Sequence, residues 1–201
     1  ISFDDKKLTS NQLKRFIDDG IENLDLIYRN LNRAADLIST FKKVAVFQDD
    51  DVTTYINIHK LITDVLTSIS SELEEKKPVI NINCATDLTI ESKSEPLQQV
   101  FIQLLTNSLL HGFIGNENNE IQFDVELTGK KLTIIYSDNG QGVDKKIKHR
   151  IFDPFVTSKR GQGASGLGMH LVYNLVTQAL GGHILIDLEK KHGARFIITI
   201  P

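Results

Sequence analysis

Four groups of residues in this chain have the types and spacing to do chemistry, and they come in a fixed order. Gln103 and Asn107 stand about one helical turn apart, so a helix would put both side-chain amides on one face. Asp138-Asn139-Gly140-Gln141-Gly142 follows an apolar run, Leu132 to Tyr136, that reads as a strand. A carboxylate there can accept a hydrogen bond from an amine, and glycines let a flat ligand approach the backbone. Ile151-Phe152-Asp153-Pro154-Phe155 comes next, with Lys159 and Arg160 in its basic tail. Last, Gly163-Ala164-Ser165-Gly166-Leu167-Gly168 opens a helical pattern. Free N–H groups and the helix dipole at such an opening favour anions, phosphate above all.

Taken singly, each group also has a plain reading. Asn-Gly and Asp-rich stretches are ordinary loops, and a basic loop is commonly just solvated. The glycine run does not fit the dinucleotide fingerprint, because no strand leads straight into it. No Lys-Ser/Thr pair follows, as a P-loop would require. The order of the groups carries more than any one of them, and that order depends on the elements between.

Thr9-Ser10-Asn11-Gln12 reads as a capping box, with Thr9 as N-cap. A proline-free helical pattern follows to about Phe47. Its seam, Leu13, Ile17, Gly20, Leu24, Ile27, Leu31, Ala34, Ile38, Phe41 and Ala45, alternates spacings of four and three. That heptad calls for a helical bundle or coiled coil, with a long helix packed on its own domain as the simpler alternative. Gln48-Asp49-Asp50-Asp51 breaks the period, so a domain boundary is expected there, between residues 1–48 and 49–201. Beyond it, Thr53 to Ile58 reads as a strand and Leu61 to Lys77 as a helix stopped by Pro78. Val79 to Cys84 and Leu88 to Ser92 are two further strands. Ser94-Glu95-Pro96 starts the helix that carries Gln103 and Asn107 to about His111. Ile121 to Leu127 and Lys131 to Tyr136 form a hairpin about Thr128-Gly129. Asp144 to Arg150 reads as a short basic helix. The helix opened by Gly168 runs to about Leu180, and His183 to Leu188 with Ala194 to Ile200 makes a final strand pair.

Composition sets outer bounds. With 201 residues, 40% hydrophobic and 24% charged, the chain is an ordinary globular sequence. A net charge of -3 gives no basic footprint for nucleic acid. No apolar run reaches transmembrane length. The single Cys84 excludes an internal disulfide and a Cys-rich metal site, and reads as a small core residue.

The combination resembles the catalytic ATP-binding domain of sensor histidine kinases, whose fold is shared with gyrase-type and chaperone ATPases. Gln99 to Gly112 is similar to the N box, and Asp138 to Gly142 to the G1 box. Ile151 to Phe155 is similar to the F box, and Gly163 to Gly168 to the G2 box. The ending Gly193-Ala194-Arg195-Phe196 through Pro201 is also typical. Asn30 to Ile38 resembles the second helix of the dimerisation hairpin in these kinases. The resemblance implies an α/β two-layer sandwich, a mixed sheet with helices on one face, preceded by a long dimerisation-type helix. ATP would lie between the helices, under a lid from about Asp144 to Ser165.

By that resemblance Asp138 accepts the adenine amino proton, and Gly140 and Gly142 let the base and the lid approach. Asn107 offers its side-chain oxygen to Mg²⁺, with Gln103 as a further contact. Ser165, Gly166 and Gly168 line the phosphates, while Val143, Phe155, Thr157 and Leu167 complete the nucleotide contacts. Lys159 or Arg160 stabilises the transferring γ-phosphate, or is a solvated basic loop. His111 reaches a phosphate, or balances a helix end.

Two departures bear on the chemistry. Position 103 is usually Asn in these kinases and Glu, a general base for water, in the gyrase-type ATPases. Gln103 cannot take up a proton, which points to phosphoryl transfer to a protein side chain instead of ATP hydrolysis. Leu110 stands where many members have Lys. Family acceptor histidines are followed by an acidic residue, and none of the six histidines here is. The expectation is therefore a fragment beginning after the first hairpin helix, which binds ATP without phosphorylating itself. The full protein would be a homodimer on the cytoplasmic side of the membrane, passing phosphate to a response regulator. The rival reading is a non-catalytic dimerisation or partner-binding module with a degenerate site.

Overall fold

The computed structural model describes residues 9–49, 53–114, 118–157, 165–190 and 192–201. The chain divides into two compact units, Ile1–Ser39 and Thr40–Pro201.

The described residues of the first unit are helical from Ser10 on. Helix α1, Ser10–Asp49, runs for 40 residues and ends where the sequence pattern breaks. Its capping box forms as predicted: Thr9 N–H donates to Gln12 Oε1 at 3.0 Å, and Gln12 N–H to Thr9 Oγ1 at 3.4 Å. Its described seam is largely exposed. Leu13, Ile17, Leu24, Ile27 and Leu31 are all exposed, as are Phe16 and Ile21 beside them. Among the described residues no helix is long and apolar enough to cross a membrane.

The second unit takes in the end of α1 from Thr40, then β1 (Thr54–Asn57), α2 (Ile58–Ser68) and α3 (Ser70–Lys76). Asn57 caps α2 by accepting from Lys60 N–H at 2.8 Å, which fixes the strand-to-helix corner. The single helix expected from Leu61 to Lys77 is thus two, parted at Ile69, whose N–H closes on Val65. Strands β2 (Val79–Asn83) and β3 (Thr89–Ser92) follow, then α4 (Ser94–Asn107), which continues as one π-turn over Ser108–Gly112. Strands β4 (Glu120–Thr128) and β5 (Lys131–Asp138) form the predicted hairpin. Of the basic helix expected over Asp144 to Arg150, only a short 3-10 turn, Lys148–Arg150, forms. Helix α5 (Gly168–Asn174) also widens into a π-turn, Leu175–Ala179, before β6 (His183–Ile186) and β7 (Arg195–Ile200).

The main sheet has the order β2-β4-β5-β7-β6, and a small antiparallel pair joins β1 to β3. Only β2 and β4 run parallel, so the sheet is mixed. Alternate residues of the central strands, Phe123, Ile134, Tyr136 and Ile198 among them, are wholly buried on one face. Leu97, Phe101, Leu104 and Leu105 of α4 meet them, with α2 and α5 on either side. Phe101 stands edge-on to Phe123 at 5.7 Å, and Phe123 edge-on to Tyr136 at 5.1 Å. Each such ring contributes about 1.5–3 kcal/mol by burial alone. Tyr136 of β5 also reaches the Leu104 carbonyl of α4 at 3.2 Å, and the chemistry-bearing residues sit where both elements end.

Candidate functional site

The C-terminal ends of α4 and β5 open onto a cleft of about 270 Å³. Asp138, the last residue of β5, lines it and is only 5% exposed. Gln103, Asn107 and His111 line one wall, and Val143, Thr157, Ser165, Gly166 and Gly168 line the rest of the sequence-predicted perimeter with Gly142. Three expected contacts, Gly140, Phe155 and Leu167, do not line the cleft. Lys159 and Arg160 lie outside the described residues.

Asp138 is held on three sides. Its Oδ1 accepts from Gly140 N–H at 2.9 Å and from Ala194 N–H at 3.0 Å. Its Oδ2 accepts from Ser108 Oγ at 2.7 Å. Behind the strand, Lys190 Nζ donates to the Asp138 carbonyl at 2.9 Å and to the Ala194 carbonyl at 3.2 Å. Burial pulls the Lys190 ammonium below its ordinary range, while the Asp138 carboxylate works the other way. The strand end is locked as well: Asp138 N–H donates to Ala194 O at 3.0 Å, and Asn139 N–H to Glu120 O at 3.2 Å.

The glycines of this stretch are needed for chain packing. A Cβ on Gly140 would stand 2.6 Å from Gly112 O, and Gln141 N–H donates to that same carbonyl at 3.0 Å. The glycine therefore admits the end of the α4 π-turn, where the sequence reading had it admit the base. Gly142 has φ +76°, and its Cβ would meet Gly193 O at 2.8 Å.

Another part of the cleft lining is built from amides. Asn107 Nδ2 donates to Met169 Sδ at 2.8 Å, which turns its Oδ1 away from the sulfur. A Cβ placed on Gly168 would lie 2.8 Å from Gln103 Oε1 and 3.7 Å from Asn107 Oδ1. Two neutral, hard oxygens thus converge on the first residue of α5. Gly166, at φ +71°, lets the loop pass close to Phe155, since a Cβ there would stand 2.7 Å from the Phe155 carbonyl carbon, and Phe155 itself sits at φ 65°, rare for an aromatic residue. Leu167 is buried, and its N–H donates to Ser165 Oγ at 3.3 Å. His170 ties this helix to the aromatic loop: its Nδ1 meets Phe152 O at 3.0 Å and its Nε2 meets Asn174 Nδ2 at 3.1 Å. Among the described residues no group of three His, Cys, Asp or Glu side chains is placed to hold a metal ion.

Sequence reasoning missed four residues here: Ser108, Tyr136, Lys190 and Ala194. Tyr136 lies two residues before Asp138 and so on the same strand face, a signal the period-two rule could have supplied. It is fully buried, and its hydroxyl lies 2.7 Å from Ser108 Oγ and 3.2 Å from Leu104 O. Burial pushes that phenol well above its usual range, and the neighbouring Asp138 carboxylate adds to this against the Ser108 bond. Lys190 and Ala194 reach the site only through the long-range pairing of β5 with β7, which no local pattern reveals.

A buried strand-end acid lining one cleft with amides and a glycine turn at a helix start defines a class of ATP-binding domain. Residues 92–201, more than half of the chain, match the family of histidine kinase-, DNA gyrase B-, and HSP90-like ATPases, and the chain belongs to that family. Its fold is that of a histidine kinase catalytic domain: the one from ThkA matches with a TM-score of 0.64 at 26% identity, covering 75% of this chain and 95% of that one. Sporulation kinase A of Bacillus subtilis (strain 168) is 27% identical over 182 residues, which cover 88% of this chain and 28% of that protein. A structure of ThkA in complex with the response regulator protein TrrA matches 97% of this chain and 53% of that one, with a TM-score of 0.64 at 22% identity, a likeness of fold. The chain thus spans under a third of the length of that curated relative.

Proposed function

We propose that this chain is the ATP-binding catalytic part of a sensor histidine kinase. The full protein transfers the γ-phosphoryl group of ATP to a histidine on its dimerisation helices, for relay to an aspartate of a response regulator. The observation that carries this reading is the polarity of the cleft. Its lining holds both a fixed carboxylate acceptor and a group of amide oxygens with a glycine turn. An adenine amine suits the first and a polyphosphate the second.

In this reading Asp138 receives the adenine amino group, with Val143 against the base. Ser165, Gly166 and Gly168 face the phosphates, with Thr157 and His111 beside them. Mg²⁺ fits the donor set: Asn107 Oδ1 and Gln103 Oε1 are hard oxygens converging on one point, and neither carries a charge. Asn107 would hold it, with Gln103 as a second contact, and most of its ligands would be phosphate and water. When bound, the ion neutralises charge on the phosphates. Gln103 offers no base to activate water, so the site favours a protein acceptor over hydrolysis. Lys159 or Arg160 supplies positive charge to the transferring group. The exposed seam of α1 supports homodimerisation of the full protein, and work on the cytoplasmic side of a membrane follows from the same kinase reading.

Calorimetry with a non-hydrolysable ATP analogue and Mg²⁺ tests the reading directly. Saturable one-site binding is expected, weakened by Asn107→Ala and unaffected by Lys42→Ala on the exposed face of α1. No binding at millimolar nucleotide would sink it and favour a degenerate partner-binding module.

A further inference from the structure

The Asp138 carboxylate offers about four lone-pair directions, and three of them are filled. Two backbone N–H groups, from Gly140 and Ala194, occupy Oδ1. Ser108 Oγ occupies one side of Oδ2 at 2.7 Å. Among the described residues nothing else donates to this carboxylate, so one direction on Oδ2 is open, in a group that lines the cleft.

The donor on Oδ2 is itself constrained. Ser108 is 3% exposed and begins the π-turn that follows Asn107. The widened turn carries it under the end of β5. Its one proton goes to the carboxylate, which has none to give back. Its oxygen must then accept from Tyr136, whose hydroxyl lies at 2.7 Å and is wholly buried. The longer contact from Tyr136 to Leu104 O, 3.2 Å, is the weaker competitor for that proton. The protons therefore run one way, from Tyr136 to Ser108 to Asp138.

We propose that Ser108 is a positioning residue for purine selection: backed by Tyr136, it fixes the Asp138 carboxylate so that its one open lone pair meets a 6-amino group. This rests on the reading of the cleft as an adenine nucleotide site. Without Ser108 the carboxylate is tethered through Oδ1 alone and can swing Oδ2 about its own bond. An adenine presents an N–H donor to the open lone pair. A guanine presents an oxygen at the same edge and would set acceptor against acceptor. The relay thus acts on one functional group of the ligand and leaves its sugar and phosphates untouched.

The test uses the whole chain with Mg²⁺ and two ligands, ATP and purine riboside 5′-triphosphate, which lacks only the 6-amino group. Calorimetry on Ser108→Ala should show ATP affinity falling about tenfold, as expected when a hydrogen bond to a charged group loses its alignment. Affinity for the purine riboside triphosphate should stay within about twofold, since it never used that bond. Tyr136→Phe should move ATP affinity in the same ligand-selective sense and by less, which keeps the test open should Ser108→Ala fold poorly. Equal losses for both ligands would reduce Ser108 to a packing residue and overturn the proposal. So would unchanged ATP affinity in Ser108→Ala when Asp138→Asn abolishes binding. If wild-type protein fails to prefer ATP over the 6-deamino ligand, and Asp138→Asn changes nothing, the adenine reading fails and takes this proposal with it.

Discussion

Gly193→Ala puts the architecture of the site to a demanding test. Gly193 lies in the turn between β6 and β7, at φ +72°. A Cβ there would stand 1.8 Å from the Asp138 carbonyl oxygen, a backbone atom that cannot rotate aside. Placing an L side chain in the left-handed region costs about 1 kcal/mol before any collision. The collision then forces the turn away from β5. That movement strains the Asp138 N–H bond to Ala194 O and the Ala194 N–H bond to Asp138 Oδ1, both 3.0 Å, and loosens the Lys190 clamp. With two to three hydrogen bonds at about 1 kcal/mol each, the total is about 3–4 kcal/mol. For a domain of this size that lowers the melting temperature by about 6–16 °C. Gly129→Ala is the control: its φ is +63°, yet nothing lies within 4 Å of the added Cβ. It should cost about 1 kcal/mol, the strain alone. Urea unfolding of both variants, followed by far-ultraviolet circular dichroism, gives the comparison. A Gly193→Ala cost no larger than that of Gly129→Ala would refute the argument that the β6–β7 turn clamps the acid in place.

Three further outcomes follow from the same geometry. Asp138→Asn keeps an oxygen for Gly140 and Ala194 N–H but turns an amide N–H₂ toward Ser108 and the cleft, so ATP affinity should drop about 100-fold with little change in fold, from the loss of about 1.5–3 kcal/mol for a charged hydrogen bond; affinity within threefold of wild type by calorimetry would contradict it. In Gly168→Ala the added methyl meets the far end of a flexible side chain, Gln103 Oε1, and not backbone, so stability should be unchanged or raised by about 0.4–1 kcal/mol while Mg²⁺-dependent nucleotide affinity falls; unchanged affinity with and without Mg²⁺ would separate Gly168 from the phosphates. Tyr136 has its folded-state pKa raised above the ordinary 10.0, mainly by burial, so its contribution is complete below that value and is lost as pH climbs through the folded pKa. Stability should therefore fall more steeply above about pH 10 in wild type than in Tyr136→Phe, with equal slopes in urea unfolding counting against the buried phenol.

The sequence and the structure agree most where the signal was local. The capping box at Thr9, the β4–β5 hairpin and the α4 face carrying Gln103 and Asn107 all rest on short stretches of continuous sequence, and all are present. Asp138 was legible for the same reason, as an acid at the end of an apolar strand. Its support was not. Gly193, Ala194 and Lys190 stand more than fifty residues away and act because β7 lies beside β5, a pairing that hydrophobic alternation permits without specifying. The glycines show the same limit more sharply. Gly140 looked like room for a ligand, yet the atoms it makes room for belong to Gly112. A glycine in a sequence marks a close approach and does not name what approaches. In this fold the backbone takes that room first, at Gly140, Gly142 and Gly193, and by doing so leaves the Asp138 carboxylate one open lone pair and one direction in which to use it.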